Sequence, residues 1–147
     1  DKLPVDARIA THPNDGSDIP LWSARATMGG YETLQPWFVE VWQRQKRRTL
    51  DTFAALYSSR RQEVIDYCTH YGVTHFLLKR SRYGPHFRQQ ARFIEPFNTL
   101  IAPLLSGKRP GDLVLAEVPP AAVVFRHGDW LMVDADKLIA SWGSAPR

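Results

Sequence analysis

The longest periodic pattern of the chain predicts one amphipathic helix over residues 36–58. Apolar side chains recur there at three- and four-residue spacing, and the basic side chains of residues 44–48 fall on the other face. Pro36 suits the first turn, where its missing N–H is tolerated. A second helix is predicted over residues 60–71, with Ser59 as its N-cap and Gly72 after its last turn.

Short runs of β-branched, aromatic and other apolar residues predict strands around these helices. Gly29 and Gly30 end the second run, and residues 127–129 form a turn between the last two. The runs cover residues 7–11, 24–28, 73–79, 113–117, 121–126 and 130–133.

The C-terminal half adds further helices. Residues 87–105 are predicted to be helical, with Pro96 and Pro103 kinking or splitting the helix. Asp134 or Asp136 caps a short last helix that ends at Trp142. The sequence therefore predicts an α/β fold: a three-layer domain whose mixed, mainly parallel sheet of about four to six strands is flanked by helices.

Composition places the chain among ordinary globular domains. Its 147 residues are 44% hydrophobic and 23% charged, enough apolar material for one core. The net charge of +4 permits binding to nucleic acid, anionic lipid or a phosphorylated ligand without requiring any of them. The single cysteine, Cys68, excludes an internal disulfide. No apolar run is long enough for a membrane span. Because the chain begins at Asp1 without a methionine, we expect it to be a piece of a longer protein.

The loop after the first predicted strand is the first candidate site, because α/β proteins often place function at strand ends. It carries His12, Asp15 and Asp18, residue types that serve as metal ligands or general bases. Their spacing matches no metal motif. A turn at residues 14–16 and a helix cap at Asp18 explain them structurally, and we favour that interpretation. A weaker, functional interpretation is that the loop forms a rim that touches a substrate.

Tyr31 and Glu32 form a second candidate, because they follow the glycines at the end of the second predicted strand. The alternative is structural. The tyrosine packs on the rim of the sheet, and the carboxylate lies favourably ahead of a helix N-terminus. The structural alternative is again favoured.

Two groups of basic residues are candidates for an anion-binding or membrane-facing patch. We rank a solvated helix face first and contact with anionic lipid or lipid phosphate second. Nucleic acid ranks last because no nucleic-acid-binding motif is present. The residues are Arg44, Arg47, Arg48, Arg80, Arg82 and Arg88.

Three segments resemble a known family. The first strand fits a Pro-x-Asp-Ala-x-Ile/Val-Ala pattern, and the second predicted strand carries Arg25. Residues 67–83 are similar to a helix, Tyr-Gly-Val, strand segment, and residues 123–134 to a terminal hairpin. On these features the chain resembles the extracytoplasmic C-terminal domain of polytopic membrane glycosyltransferases of the C-type superfamily. Oligosaccharyltransferase catalytic subunits and protein O-mannosyltransferase-like proteins belong to that superfamily.

The resemblance implies a non-catalytic domain on the extracytoplasmic, periplasmic face of a membrane, tethered to the membrane-embedded part of the same polypeptide. It would help to position an acceptor or a lipid-linked donor, and Arg25 joins the candidate binding residues. The catalytic acids, any divalent metal and the lipid-linked sugar donor would belong to the membrane part, and this piece would hold no cofactor. Oligosaccharyltransferases carry Trp-Trp-Asp-Tyr-Gly in the first loop. This chain has Thr-His-Pro-Asn-Asp-Gly there, so their acceptor site is not expected.

Two other function classes stay open on the sequence. One is a free-standing basic α/β module that binds nucleic acid or a phosphorylated ligand. The other is a small hydrolase or transferase that uses His12 and Asp15.

Overall fold

The computed structural model describes residues 3–34 and 37–143. The strands in these residues are β1 (Arg8–Thr11), β2 (Ala26–Thr27), β3 (His75–Lys79), β4 (Val123–His127) and β5 (Trp130–Asp134). The α-helices in the same residues are α1 (Pro13–Gly16), α2 (Ile19–Ser23), α3 (Val39–Leu56), α4 (Arg61–Tyr71), α5 (Phe87–Gln90), α6 (Phe97–Leu105) and α7 (Ala135–Gly143). No helix in this part of the chain is long and apolar enough to span a membrane.

The strands form one mixed sheet in the order β2-β1-β3-β5-β4. β1 pairs in parallel with β2 and β3, whereas β5 pairs antiparallel with β3 and β4. The predicted α/β fold with a mixed sheet and flanking helices is confirmed. The expectation that the sheet is mainly parallel was wrong. The C-terminal hairpin docks antiparallel beside β3, so two strand pairs are parallel and two are antiparallel, and the antiparallel pairs are longer.

The main core lies on one face of the sheet. The strand register places Ala10, Phe76 and Val133 side by side on this face, and all three are buried. Helices α3, α4, α6 and α7 cover it with apolar side chains, among them Phe53, Val64, Ile101 and Leu138. Full burial of each such side chain contributes about 1.5–3 kcal/mol, so this layer accounts for much of the stability.

The short helix α1 approaches the other face of the sheet. Thr11 alternates with Ala10 along β1, and Thr27 pairs with Ile9, so both threonines point away from the main core. Gly16 of α1 lies against these threonine side chains. The sheet therefore has helical structure on both faces at its β1–β2 end.

Several predicted boundaries differ from the structure. The second predicted strand is only the two residues of β2, and the 87–105 segment divides into α5 and α6 on either side of residues 91–96. Pro103 lies inside α6. Pro36 lies outside the described residues. The predicted N-cap Ser59 was wrong: Arg60 holds that position, and the Ser58 hydroxyl accepts the Arg60 N–H at 2.9 Å.

The strand predicted over residues 113–117 was wrong. The chain there forms 3-10 turns in which the Leu113 N–H bonds to Pro110 and the Ala116 N–H bonds to Leu113. The apolar run that suggested a strand is partly buried, since Leu113 and Leu115 are 3% and 2% exposed. The nearest backbone acceptor for Val114 is Ser58, just after α3, and not a strand.

Candidate functional site

The C-terminal ends of β1 and β3 lie where open α/β sheets usually bind ligands. The two strands are parallel neighbours in the sheet. The chain leaves β1 toward β2, which pairs with β1 on its other edge. In open α/β sheets, ligands bind where the loops of such neighbouring strands diverge. Here the two loops are residues 12–18 after β1 and residues 80–84 after β3.

A buried ion pair joins these two loops. Arg82 donates to both carboxylate oxygens of Asp15, with its Nε 2.8 Å from Oδ2 and its second terminal nitrogen 2.9 Å from Oδ1. The remaining terminal nitrogen donates to the Gln90 carbonyl. The two side chains are only 10% and 12% exposed. Both carboxylate oxygens of Asp15 and all three guanidinium nitrogens of Arg82 therefore have partners.

His12 lies beside the ion pair with both ring nitrogens engaged. Nε2 donates to the Ala91 carbonyl at 3.1 Å, and Nδ1 accepts the Asn14 N–H at 3.2 Å. Burial, together with the Arg82 charge, lowers the pKa of His12 to about 4, so the ring is neutral at pH 7. The neutral tautomer with hydrogen on Nε2 satisfies both bonds.

Tyrosine side chains close the remaining space around the ion pair. Tyr57 and Tyr83 stack obliquely with ring centroids 5.9 Å apart, and burial raises the pKa of both hydroxyls. The cavity that they bound with His12, Asp15 and Arg82 is about 10 Å³. That volume is at the lower limit for a single water molecule, so these side chains leave no room for a ligand. They fill the switch point, the position where the loops after β1 and β3 diverge. We call His12, Asp15, Tyr57, Arg82 and Tyr83 the switch-point plug.

The other predicted binding residues lie apart from the plug or touch its edge. Asp18 is exposed before α2 and makes no capping hydrogen bond with its side chain. Arg25 is buried and donates to the Ser23 and Leu3 carbonyls, both at 2.8 Å, which ties the N-terminal segment to β2. Glu32 is exposed in a 3-10 turn. Tyr31 packs edge-to-face against Phe93, which His12 also contacts.

Three exposed apolar side chains lie in a row at the start of α3, two just before the helix and one at its first residue. Trp37, Phe38 and Val39 are 82%, 67% and 68% exposed. The helix predicted over residues 36–58 included Phe38 in its apolar pattern, but the helix begins only at Val39. The sequence contained a sign of this exposure. Residues 37–39 are three consecutive large apolar residues, and consecutive residues of a helix do not all lie on one buried face. We call residues 37–39 the aromatic tip.

Three of the predicted basic residues meet in one groove. Arg44, Arg47 and Arg48 of α3 line a groove of about 480 Å³ whose other wall is His70 and Tyr71 at the end of α4. We call this groove the basic groove.

The other predicted basic residues are dispersed. Arg80 lines a separate groove with Arg126, Glu117 and Asp129. Arg82 belongs to the plug, so its guanidinium does not face a surface anion. Arg88 donates to the Leu105 carbonyl at 3.2 Å and to the Lys108 carbonyl, which ties the loop after α6 to α5.

Comparison of the chain with protein-family models, with curated proteins and with solved structures gave no match in any of the three.

Proposed function

We propose that the chain is a non-catalytic, extracytoplasmic domain of a membrane-embedded glycosyltransferase-like protein. In this proposal the aromatic tip contacts the bilayer surface, and the domain helps to position an acceptor or a lipid-linked donor there. The observation that carries the proposal is the aromatic tip, three consecutive large apolar side chains that the fold leaves in solvent.

The chemistry of the tip suits the interface of a bilayer. Tryptophan and other aromatic side chains concentrate at the headgroup level of membranes. Burying three such side chains provides roughly 5 kcal/mol, an energy that corresponds to weak, reversible attachment. Weak attachment suffices for a domain that the rest of its own polypeptide already holds near the bilayer. Arginines on the following turns of α3 would add about 1 kcal/mol each near anionic lipid.

The switch-point plug supports the non-catalytic part of the proposal. An acid or base at this position needs a free ring nitrogen or carboxylate oxygen, but those of His12 and Asp15 are already bonded within the protein. Their recruitment to catalysis would require the plug to open.

Vesicle co-sedimentation tests the tip. We expect the chain to bind phosphatidylcholine vesicles that contain phosphatidylglycerol, and the Trp37→Ala/Phe38→Ala variant to bind at least tenfold more weakly. The matched control is Leu100→Ala, which removes an exposed apolar side chain from α6 and should leave binding unchanged. Equal binding of the tip variant and the wild type, or no wild-type binding, would contradict the proposal.

The sequence of the gene upstream of residue 1 tests the membrane-embedded parent. The proposal expects several hydrophobic segments of about 20 residues there. A reading frame without such segments would overturn the assignment to a membrane protein even if the tip binds vesicles.

A further inference from the structure

The basic groove presents guanidinium groups along one face of a helix. Arg44 and Gln45 lie three and four residues after Val41, and Arg48 lies four and three residues after them, which places all four on the same face of α3. Residues spaced like Arg44 and Arg48 have Cβ atoms about 6 Å apart. The last turn of α4 forms the second wall, so the arginines border a concave space and not an open helix surface.

The positive charge of this groove is mostly uncompensated. Among residues 3–34 and 37–143, Arg44 and Arg48 have no ion pair, and Arg47 meets Asp51 only at 4.0 Å. The Asp51 carboxylate also accepts the Tyr71 hydroxyl at 2.6 Å. Of the three arginines, only Arg47 therefore lies within ion-pair distance of a described carboxylate, and Tyr71 already engages that carboxylate.

Carboxylates in a neighbouring groove confine the excess positive charge to one end of a longer, combined groove. A second groove of about 460 Å³ shares Arg47, His70 and Tyr71 with the basic groove and continues between α3 and α4. It is lined by the carboxylates Asp51, Glu63 and Asp66. An anion that enters this double groove is therefore directed to the end formed by Arg44 and Arg48.

We propose that the basic groove is a binding site for a phosphate monoester or diphosphate group. Guanidinium groups bind phosphate oxygens in pairs with matched geometry. A phosphate monoester carries a charge of about −1.5 to −2 at pH 7, which suits two or three arginines better than a single carboxylate does. The groove volume of about 480 Å³ admits such a group with a substituent attached.

This site is independent of the membrane contact in the proposed function, because it requires no bilayer. The same chemistry can come from a soluble phosphate compound or from a lipid headgroup. Two probes separate these sources: inorganic pyrophosphate in solution, and phosphatidylcholine vesicles that contain phosphatidic acid.

Calorimetric titration at low salt tests the site. We expect the chain to bind pyrophosphate, and Arg44→Gln/Arg48→Gln to bind at least tenfold more weakly. The control Arg92→Gln/Arg126→Gln removes the same charge from two exposed positions outside the groove and should change affinity less than twofold. Urea unfolding of each variant checks folding. Arg44→Gln alone, at an exposed position, repeats the test should the double variant unfold.

Each outcome decides the proposal. Binding of pyrophosphate by the wild type and by the Trp37→Ala/Phe38→Ala variant supports a phosphate site even if the vesicle experiment on the tip fails. Binding only to phosphatidic acid vesicles, lost in Arg44→Gln/Arg48→Gln, supports a headgroup site. Binding to neither probe, or an equal loss in the control, overturns the proposal. Tighter binding to a DNA oligonucleotide, equally weakened by both double variants, overturns it as well and indicates a general polyanion surface.

Discussion

Asp15 and Arg82 carry opposite charges into a nearly dry environment, and this is tolerable because their hydrogen-bonding groups are matched. The carboxylate receives two guanidinium N–H groups, and the remaining guanidinium nitrogen reaches a backbone carbonyl. Removing one member of such a pair leaves the other charge buried without compensation. The energetic consequence is therefore much larger than the net contribution of the intact pair.

Asp15→Ala should lower the free energy of unfolding by about 3–5 kcal/mol, the usual cost of leaving a buried charge without its partner. Urea denaturation measures this change. The control is Asp18→Ala, three residues further along the same loop, where the carboxylate is exposed and the expected change is below about 0.5 kcal/mol. Similar losses for the two variants would show that the ion pair does not hold the loops together.

His12 should make the stability depend on pH in mildly acidic solution. Its pKa is lowered from 6.5 to about 4 in the folded chain, so the unfolded chain binds more protons between these values. The free energy of unfolding therefore falls as the pH decreases from about 6.5 toward 4, by roughly 3 kcal/mol in total. Burial also lowers the pKa of His75, which adds a contribution of the same sign.

Chemical denaturation at pH 7, 6 and 5 tests the contribution of His12. His12→Gln keeps a group that can donate to the Ala91 carbonyl but cannot titrate, so it should show a shallower pH dependence than the wild type. His127→Gln, at an exposed position on β4, should retain the full dependence. A wild-type slope in His12→Gln would assign the effect to other groups.

At the scale of elements, α1 is held against the end of β2 by a close backbone approach. A Cβ atom on Gly16 would lie 2.2 Å from the Gly29 carbonyl oxygen, a contact that requires the backbone to move. Gly16→Ala should therefore destabilise the fold by about 1–3 kcal/mol, as overpacking does. That change lowers the thermal midpoint by several degrees.

Gly111→Ala is the matched control for Gly16→Ala. An added Cβ at Gly111 meets nothing within 4 Å. Its midpoint should stay within about a degree of the wild type, and equal shifts for the two variants would contradict the close approach of α1 and β2.

The elements that periodicity predicted correctly are those whose burial and backbone pairing agree. Helices α3 and α4 and strand β3 each bury part of the predicted apolar pattern, namely Phe53 and Leu56, Val64 and Cys68, and Phe76 and Leu78. The strand predicted over residues 113–117 was wrong because a short apolar run can bury Leu113 and Leu115 from 3-10 turns as well as from a strand. The pattern of apolar residues indicates which side chains are buried, but it does not indicate which backbone groups form hydrogen bonds with each other.

The candidate site could likewise be predicted only in part, because its residues come together through strand pairing. His12 and Asp15 could be singled out because they follow a predicted strand. Arg82 was assigned to a surface patch because its partner is 67 residues away in sequence. Only the parallel pairing of β1 with β3 brings the two loops together. The aromatic tip was missed because the predicted helix began too early and absorbed Phe38.

At the scale of the whole molecule, the two proposed contacts share one rigid element. The aromatic tip leads into α3, and the basic groove lies along the same helix, with Arg48 about 14 Å beyond Val39 at 1.5 Å per residue. Helix α3 also packs through Phe53 into the main core. Both proposed contacts are therefore attached to the core of the domain through the same helix.

The switch-point plug also constrains the evolution of this chain. In a sheet of this type a new ligand crevice usually arises by altering the loops beyond the strands. Here replacing Asp15 or Arg82 alone leaves the charge of its partner buried without compensation. Descendants of this sequence that open the crevice at the ion pair would have to lose both of its members together, or gain stability elsewhere beforehand.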